Sequence, residues 1–373
     1  MPHPTTQPAF IEPEQEHPMA LPFSRRLFTQ VGLAATVLTA VLPLAAQAQG
    51  ADTRQNRIVV ASFGGQLDET YKKIFAQFEK DNNVTIDWVP GTAPNNVAKL
   101  AATRNAPEYD VVLFENVTQR LASTQDLLAP IDTTIVTNYQ DTAEGARAKD
   151  NDGVGIGAFV TGIYYRKDAF AKNGWAAPTS WNDLARPEFC NHLGLEKAGQ
   201  VYTLNAVLML AGADVSKIDQ GISRFTELAK CARVLEPAAA KHEEKILLGE
   251  YQVGVSATIR TLPLVRKLPD LAFVLPKEGA IPSYTMVAPV KGAPNAAGAQ
   301  KFINWFLAPQ SQQTLVRELF YSPVNTKVEV PADLVVLGVP TQTVLAAQPK
   351  IDNDVLVKDR RDWTRKLERA LER

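Results

Sequence analysis

The chain has 373 residues, is 45% hydrophobic and 21% charged, and carries a formal net charge of −1. An apolar content of that order buries a core in each of about two domains, at ~100–200 residues per domain. The even charge balance excludes the basic footprint of a nucleic-acid binder, and there is no basic cluster suited to an anionic lipid surface.

Ser24 to Gln30 reads SRRLFTQ and is followed at once by an apolar run from Val31 to Leu44. The run contains Pro43 and falls short of the ~20 residues a spanning helix needs. It fits the hydrophobic region of an export signal, and Ala46-Gln47-Ala48 supplies the small-x-small pattern of a cleavage site. Arg25-Arg26 ahead of Leu27-Phe28 resembles a twin-arginine signal, the plainer reading being a general secretory signal with two arginines. Residues 1–48 are therefore expected to be an export signal and leader, and the mature chain to be periplasmic. Cleavage removes Arg25 and Arg26 against Glu12, Glu14 and Glu16 and leaves the remainder electrically balanced.

The mature part alternates strand and helix. RIVVASF (57–63) is a buried strand ending at Gly64-Gly65, and apolar residues at helical spacing predict a helix over 66–80. Strands at 84–89 and 109–115 and helices at 95–104 and 117–125 follow, the pattern of βαβ units around a parallel sheet. Small and apolar residues over 153–170 lack a helical period and predict one long or two shorter strands crossing between domains. Then come a short helix capped by Thr179 or Ser180, a strand at 192–196, and helices at 202–210 and 215–232. The same alternation resumes with helix 241–248, strand 251–256, helix 258–267 and strand 271–276. An extended run at 284–290 precedes helices at 296–307 and 309–320, and the last helix lies near 354–371.

Cys190 and Cys231 are the two cysteines, and in an oxidising compartment they form either a disulfide or two buried thiols. Beyond the leader only His192 and His242 remain, which leaves little for a His-rich metal site. Tyr164-Tyr165 alternates along a strand, so the two rings point to opposite faces and are expected to be structural rather than metal ligands.

In chain order the segments FGG, YDVVLFE, GIYYRKDAF, TSWNDLARPEF, LGEYQVGVS, PKEGAIPSYTMVAPV, AAGAQKFINWFLAPQSQQTLV and YSPVN resemble the extracellular solute-binding proteins of ABC importers, in the branch that includes spermidine/putrescine-binding proteins. The resemblance covers nearly all of the mature chain. It implies an α/β, type II periplasmic binding fold of two lobes, each a mostly parallel sheet flanked by helices, with the ligand in the cleft between them. It places lobe 1 at 55–159 plus 285–325 and lobe 2 at 160–284 plus 326–373. It further implies a monomer without cofactor or catalytic residues that closes on a small-molecule solute by a hinge motion and presents it to an ABC permease in the inner membrane.

The expected cleft residues follow from strand ends and crossing strands, where open α/β sheets bind ligands. Phe63, Gly64, Gly65 and Gln66 close a strand and open a helix whose free N–H groups suit a polar or anionic group; the plainer reading is a tight turn with Phe63 in the core. Glu115-Asn116 ends the third strand, Glu115 to pair with an amine or Asn116 merely to cap a helix. Thr161 and the pair Tyr284-Thr285 lie on the crossing strands, Tyr202 opens a helix, and Thr258 and Arg260 follow the strand ending at Ser256. Arg260 suits a ligand carboxylate as a bidentate fork, or else lies on a solvated helix face. Polyamine-binding relatives clamp ammonium groups with carboxylates and box the chain with tryptophans. Aligned to them, the carboxylate positions become Gly199, Tyr202 and Thr285, and the tryptophan positions Phe63, Ala257 and Ser283. Buried cations need paired anions, so the expected ligand is a small organic solute other than a plain polyamine. A polyamine, a ligand-sensing role and a secreted hydrolase are the alternatives. For the last, no G-x-S-x-G elbow is present, and His242-Glu243-Glu244 lacks the second histidine of H-E-x-x-H.

Overall fold

The computed structural model of the chain describes residues 56–372. The expected export signal and its cleavage site lie outside them.

The first strands are β1 (Arg57–Ser62), β2 (Thr85–Pro90) and β3 (Val111–Glu115), alternating with helices α1 (Gly65–Asn82), α2 (Ala93–Ala102) and α3 (Asn116–Thr124). β1 pairs with both neighbours in parallel. Ile58 and Val60 face one apolar cluster while Val59 and Ala61 face another. Burial on both faces explains why β1 is a continuous apolar run rather than an alternating one. On the first of these faces the rings of Phe75 and Phe302 stack at 4.1 Å, with Phe306 edge-on to Phe75 at 4.7 Å. Full burial of such a ring stabilises the fold by roughly 2–3 kcal/mol.

The segment expected to cross between domains is one strand, β4 (Val154–Arg166), and α4 (Lys167–Asn173) follows it directly. α4 is absent from the sequence expectation because only two turns carry it, although Asp168 in its first turn and left-handed Gly174 at its end are ordinary start and stop signals. The expected helix at Ser180 is a 3₁₀ turn closed by a Ser180–Asp183 capping box. Then come β5 (Leu193–Glu196), α5 (Val201–Leu210), α6 (Ile218–Cys231), β6 (Leu235–Glu236), α7 (Ala239–Leu247), β7 (Val253–Ala257), α8 (Thr258–Val265) and β8 (Leu271–Val274). β9 (Pro282–Pro289) leads to α9 (Ala296–Leu307) and α10 (Pro309–Leu319). Two short helices not expected from sequence, α11 (Ala332–Leu337) and α12 (Gln342–Ala346), precede the terminal α13 (Asn353–Leu371).

The strand order is β2-β1-β3-β9-β4-β7-β5-β6, with β8 also on β4. Parallel strands make up each end, and the antiparallel pair β4 and β9 joins them. β4 pairs with β9 over Val154–Val160 and with β7 over Thr161–Tyr165, so one strand serves both halves of the sheet. The second half has its own core of Phe170, Trp181, Phe189, Leu208 and Phe225. Cys190 and Cys231 are joined in a disulfide across that half, with Cα atoms 4.3 Å apart.

Candidate functional site

Four helices, α1, α3, α5 and α8, start directly after or within a few residues of the carboxyl ends of β1, β3, β5 and β7, and none has a side-chain N-cap. Their first N–H groups are left for solvent or ligand. Gly64 has φ 78° and Gly65 φ 62°, the left-handed region in which glycine is at ease, and a Cβ on Gly64 would stand 2.9 Å from that of Pro90. Phe63 is half-buried against both clusters of the first half, while Gly65 and Gln66 are exposed. Tyr202 and Ala257 of the second half, with Val201 and Ile259 beside them, belong to the same apolar cluster as Tyr71 and Tyr321 of the first. The helix starts of the two halves therefore converge on one crevice.

Strand parity decides what the crossing pair contributes. Gly157 pairs with Thr285 and Phe159 with Ser283, and these face the crevice. A Cβ on Gly157 would lie 2.4 Å from the Tyr321 ring. Thr285 shares a hydrogen bond with the Tyr321 hydroxyl at 2.8 Å, which in turn lies 3.5 Å from that of Tyr71. Asn205 donates to Thr161 Oγ1 at 3.0 Å and to Ser283 Oγ at 3.3 Å, and Thr258 accepts from the Val160 N–H at 3.4 Å. The hydroxyls of Thr161 and Thr258 are thus already engaged, and both residues are fully buried.

Charge in the crevice is sparse. Glu115 accepts one long hydrogen bond, from Thr118 at 3.5 Å. Opposite it, Tyr202 packs edge-on to Phe159 and lies near Arg260, which ion-pairs with Glu243 at 3.2 Å. Burial pushes the Tyr202 phenol up to about 12, and the Arg260 charge pulls the other way. Burial likewise raises the Glu243 carboxyl, against the pull of Arg260. Arg360, on α13, feels the Glu115 charge while burial holds it below the usual guanidinium value.

Two of the sequence-predicted residues lie elsewhere. Tyr284 points to the opposite face from Thr285, over Gly145 and Gly155, as a one-residue step along a strand requires. Asn116 donates to Asn353 at 2.7 Å and accepts from the Tyr284 N–H at 3.3 Å, which ties α3 to the start of α13 rather than to the crevice. Sequence reasoning missed Asn205, Ser283, Tyr71, Tyr321, Glu243 and Arg360. Of these only Asn205, a polar residue inside the apolar run YTLNAVLML, left a signal.

Tyr164 and Tyr165 do not form a site. Tyr164 is buried with its hydroxyl 2.8 Å from His242 Nε2, and Tyr165 packs on the core of the second half. Among the described residues no group of three or more His, Cys, Asp or Glu is placed to hold a metal ion.

Residues 73–335 match the family model of a bacterial extracellular solute-binding protein. A Salmonella typhimurium protein with the provisional name of a 2-aminoethylphosphonate-binding periplasmic protein is 26% identical over 306 residues, 79% of this chain and 86% of that one. A gamma-aminobutyric acid-binding protein of Pseudomonas aeruginosa is 26% identical over 74% of this chain and 80% of its own length. A spermidine/putrescine-binding periplasmic protein of Haemophilus influenzae is 30% identical, but over only 42% of this chain and 44% of its own. Among solved structures, an ABC transporter substrate-binding protein from Bradyrhizobium japonicum superposes with a TM-score of 0.73 at 20% identity, over 85% of this chain and 99% of that one. The fold is accordingly that of a type II periplasmic binding protein.

Proposed function

We propose, for a chain that belongs to the bacterial extracellular solute-binding proteins, that it is exported, works in the periplasm as a monomer, and captures a small zwitterion bearing an amine and an acid group for an ABC permease. The acid end lies at Arg260 and the uncapped starts of α1, α5 and α8, and the amine at Glu115. The division into lobes at 55–159 plus 285–325 and 160–284 plus 326–373 goes with this reading.

The observation that carries it is the gathering of one lightly bonded carboxylate, the guanidiniums of Arg260 and Arg360 and several free helix starts around one crevice. A helix N-terminus carries about half a positive charge, so the crevice favours one anion and one cation rather than a polycation. The names of the Salmonella and Pseudomonas relatives, an aminophosphonate and an amino acid with terminal charges, are of this chemical class. The partial match to a spermidine/putrescine-binding protein keeps a polyamine as the second reading. The second carboxylate of the crevice, Glu243, is already paired with Arg260, so a diamine would leave one ammonium unpaired.

Calorimetry on the mature protein decides between them. 2-Aminoethylphosphonate or gamma-aminobutyrate should bind at micromolar concentration or tighter, and putrescine and spermidine much more weakly. Tight polyamine binding with no zwitterion binding would overturn the assignment. Intact-mass analysis should find the exported protein beginning near Gln49; a full-length cytoplasmic product would remove the periplasmic role.

A further inference from the structure

Behind the crossing strands, on the face away from the crevice, lies a cavity of about 370 Å³. Ala158, Tyr284 and Met286 form its floor. One wall comes from the first half, through Gln119 and the 143–149 segment, and the other from the C-terminal segment, through Leu345, Asn353 and Leu356. Leu356 belongs to the core of the second half, so the cavity is bounded by both halves. Its lining is mainly apolar, and two of its polar groups stand out. The Tyr284 hydroxyl and the Lys350 ammonium make no hydrogen bond or ion pair among the described residues, and burial alone raises the Tyr284 phenol, which keeps it a donor. Of the other cations, Arg120 and Lys149 are met by Asp150 and Asp354, and Arg147 by carbonyl oxygens and the Tyr139 ring. Of the two lining carboxylates, Asp352 caps α13 and Glu144 is exposed at the rim. The unspent donors are thus a phenol within and an ammonium at the mouth.

We infer that this rear cavity is a second solute site, taking a small, largely apolar carboxylic acid whose carboxylate accepts from the Tyr284 hydroxyl and the Lys350 ammonium, and that filling it favours closure of the front crevice. The second clause follows from lever geometry. The crossing strands lie between crevice and cavity, so a rotation about them that opens the crevice brings the rear walls together. An occupant between those walls resists opening, and a ligand that binds one of two states better shifts the population toward it. The shift is reciprocal in binding free energy.

Hexanoate is the probe. Saturation-transfer NMR on the mature protein should show saturable binding that persists when the crevice is filled. Tyr284→Phe, which removes one hydrogen bond to a charged acceptor, and Lys350→Gln should each weaken it about fivefold or more. Neither should change affinity for the crevice ligand when hexanoate is absent. Saturating hexanoate should shift small-angle scattering toward the more compact form and tighten the crevice ligand about fivefold or more. Displacement of hexanoate by the crevice ligand, or indifference to both substitutions, overturns the rear site. Binding without compaction overturns the coupling. Failure of every zwitterion to bind would refute the function proposed above yet leave the NMR and scattering results to judge the rear site alone.

Discussion

Arg260→Gln separates the two ends of the proposed ligand. In the protein Arg260 lies near Tyr202 and pairs with Glu243 at 3.2 Å, with its side chain 45% exposed and that of Glu243 24%. An ion pair so open to water contributes about 0–1 kcal/mol to folding, so the melting temperature should fall by no more than ~3 °C in a chain of this size. Ligand binding is different, because the acid group of a zwitterion would be desolvated against this guanidinium. Losing one partner of a desolvated charge pair costs about 2–5 kcal/mol. The partial exposure argues for the lower end, ~2 kcal/mol, or roughly thirtyfold in Kd. Titration calorimetry of the zwitterion against wild type and variant reads this directly. Amines without an acid group provide the control, since their weak binding should not change. A loss below about threefold, or an equal loss for amines and zwitterions, would refute the placement of the acid end at Arg260.

Two further outcomes follow from the fold. Reducing the Cys190–Cys231 bond, which spans 41 positions, should lower unfolding free energy by up to about 4 kcal/mol on a loop-entropy estimate. Equal urea midpoints with and without reductant, after thiol counting confirms reduction, would dismiss that contribution. Arg120 bonds Asp150 and Asp354 and, as the leading cause, holds both carboxyls below the ordinary range. A carboxyl with a depressed folded pKa stabilises the fold above its unfolded value of ~3.9 and loses that contribution as pH falls through the folded value. The melting-temperature gap between wild type and Arg120→Gln should therefore be widest above pH 5 and close toward pH 3, and a gap independent of pH would contradict this account.

The alternation of strands and helices was legible in the sequence because most of these elements bury apolar residues in a fixed rhythm. Ile58 to Ala61 has partners on both faces, and α1 shows its buried stripe at Tyr71, Ile74, Phe75 and Phe78. Short elements such as α4, α11 and α12 carry too few residues to display a period. The candidate site was legible as far as strand ends go, since Glu115, Tyr202 and Arg260 stand where β3, β5 and β7 give way to helices. Facing was not. Whether Tyr284 or Thr285 meets the crevice depends on register, and one residue of slip reverses every side chain. The bonds from Asn205 to Thr161 and Ser283 join three distant segments, and no local pattern encodes them.

That parity gives neighbouring residues on β9 separate tasks. Ser283 and Thr285 belong to the polar lining of the crevice, bonded to Asn205 and Tyr321. Tyr284 and Met286 belong to the rear cavity, so substitutions there act on what that cavity holds. The bulge between Gly155 and Gly157 is what keeps β4 in step with this division. Gly155 lies under Tyr284 on the rear face, whereas Gly157, only two residues on, leaves room for Tyr321. Without the extra residue both glycines would follow the strand's period of two onto a single face. One of the two rings would then collide with a Cβ at any residue other than glycine. The bulge thus sets apart, within one hydrogen-bonded strand pair, the surface facing the crevice from the surface facing the rear cavity.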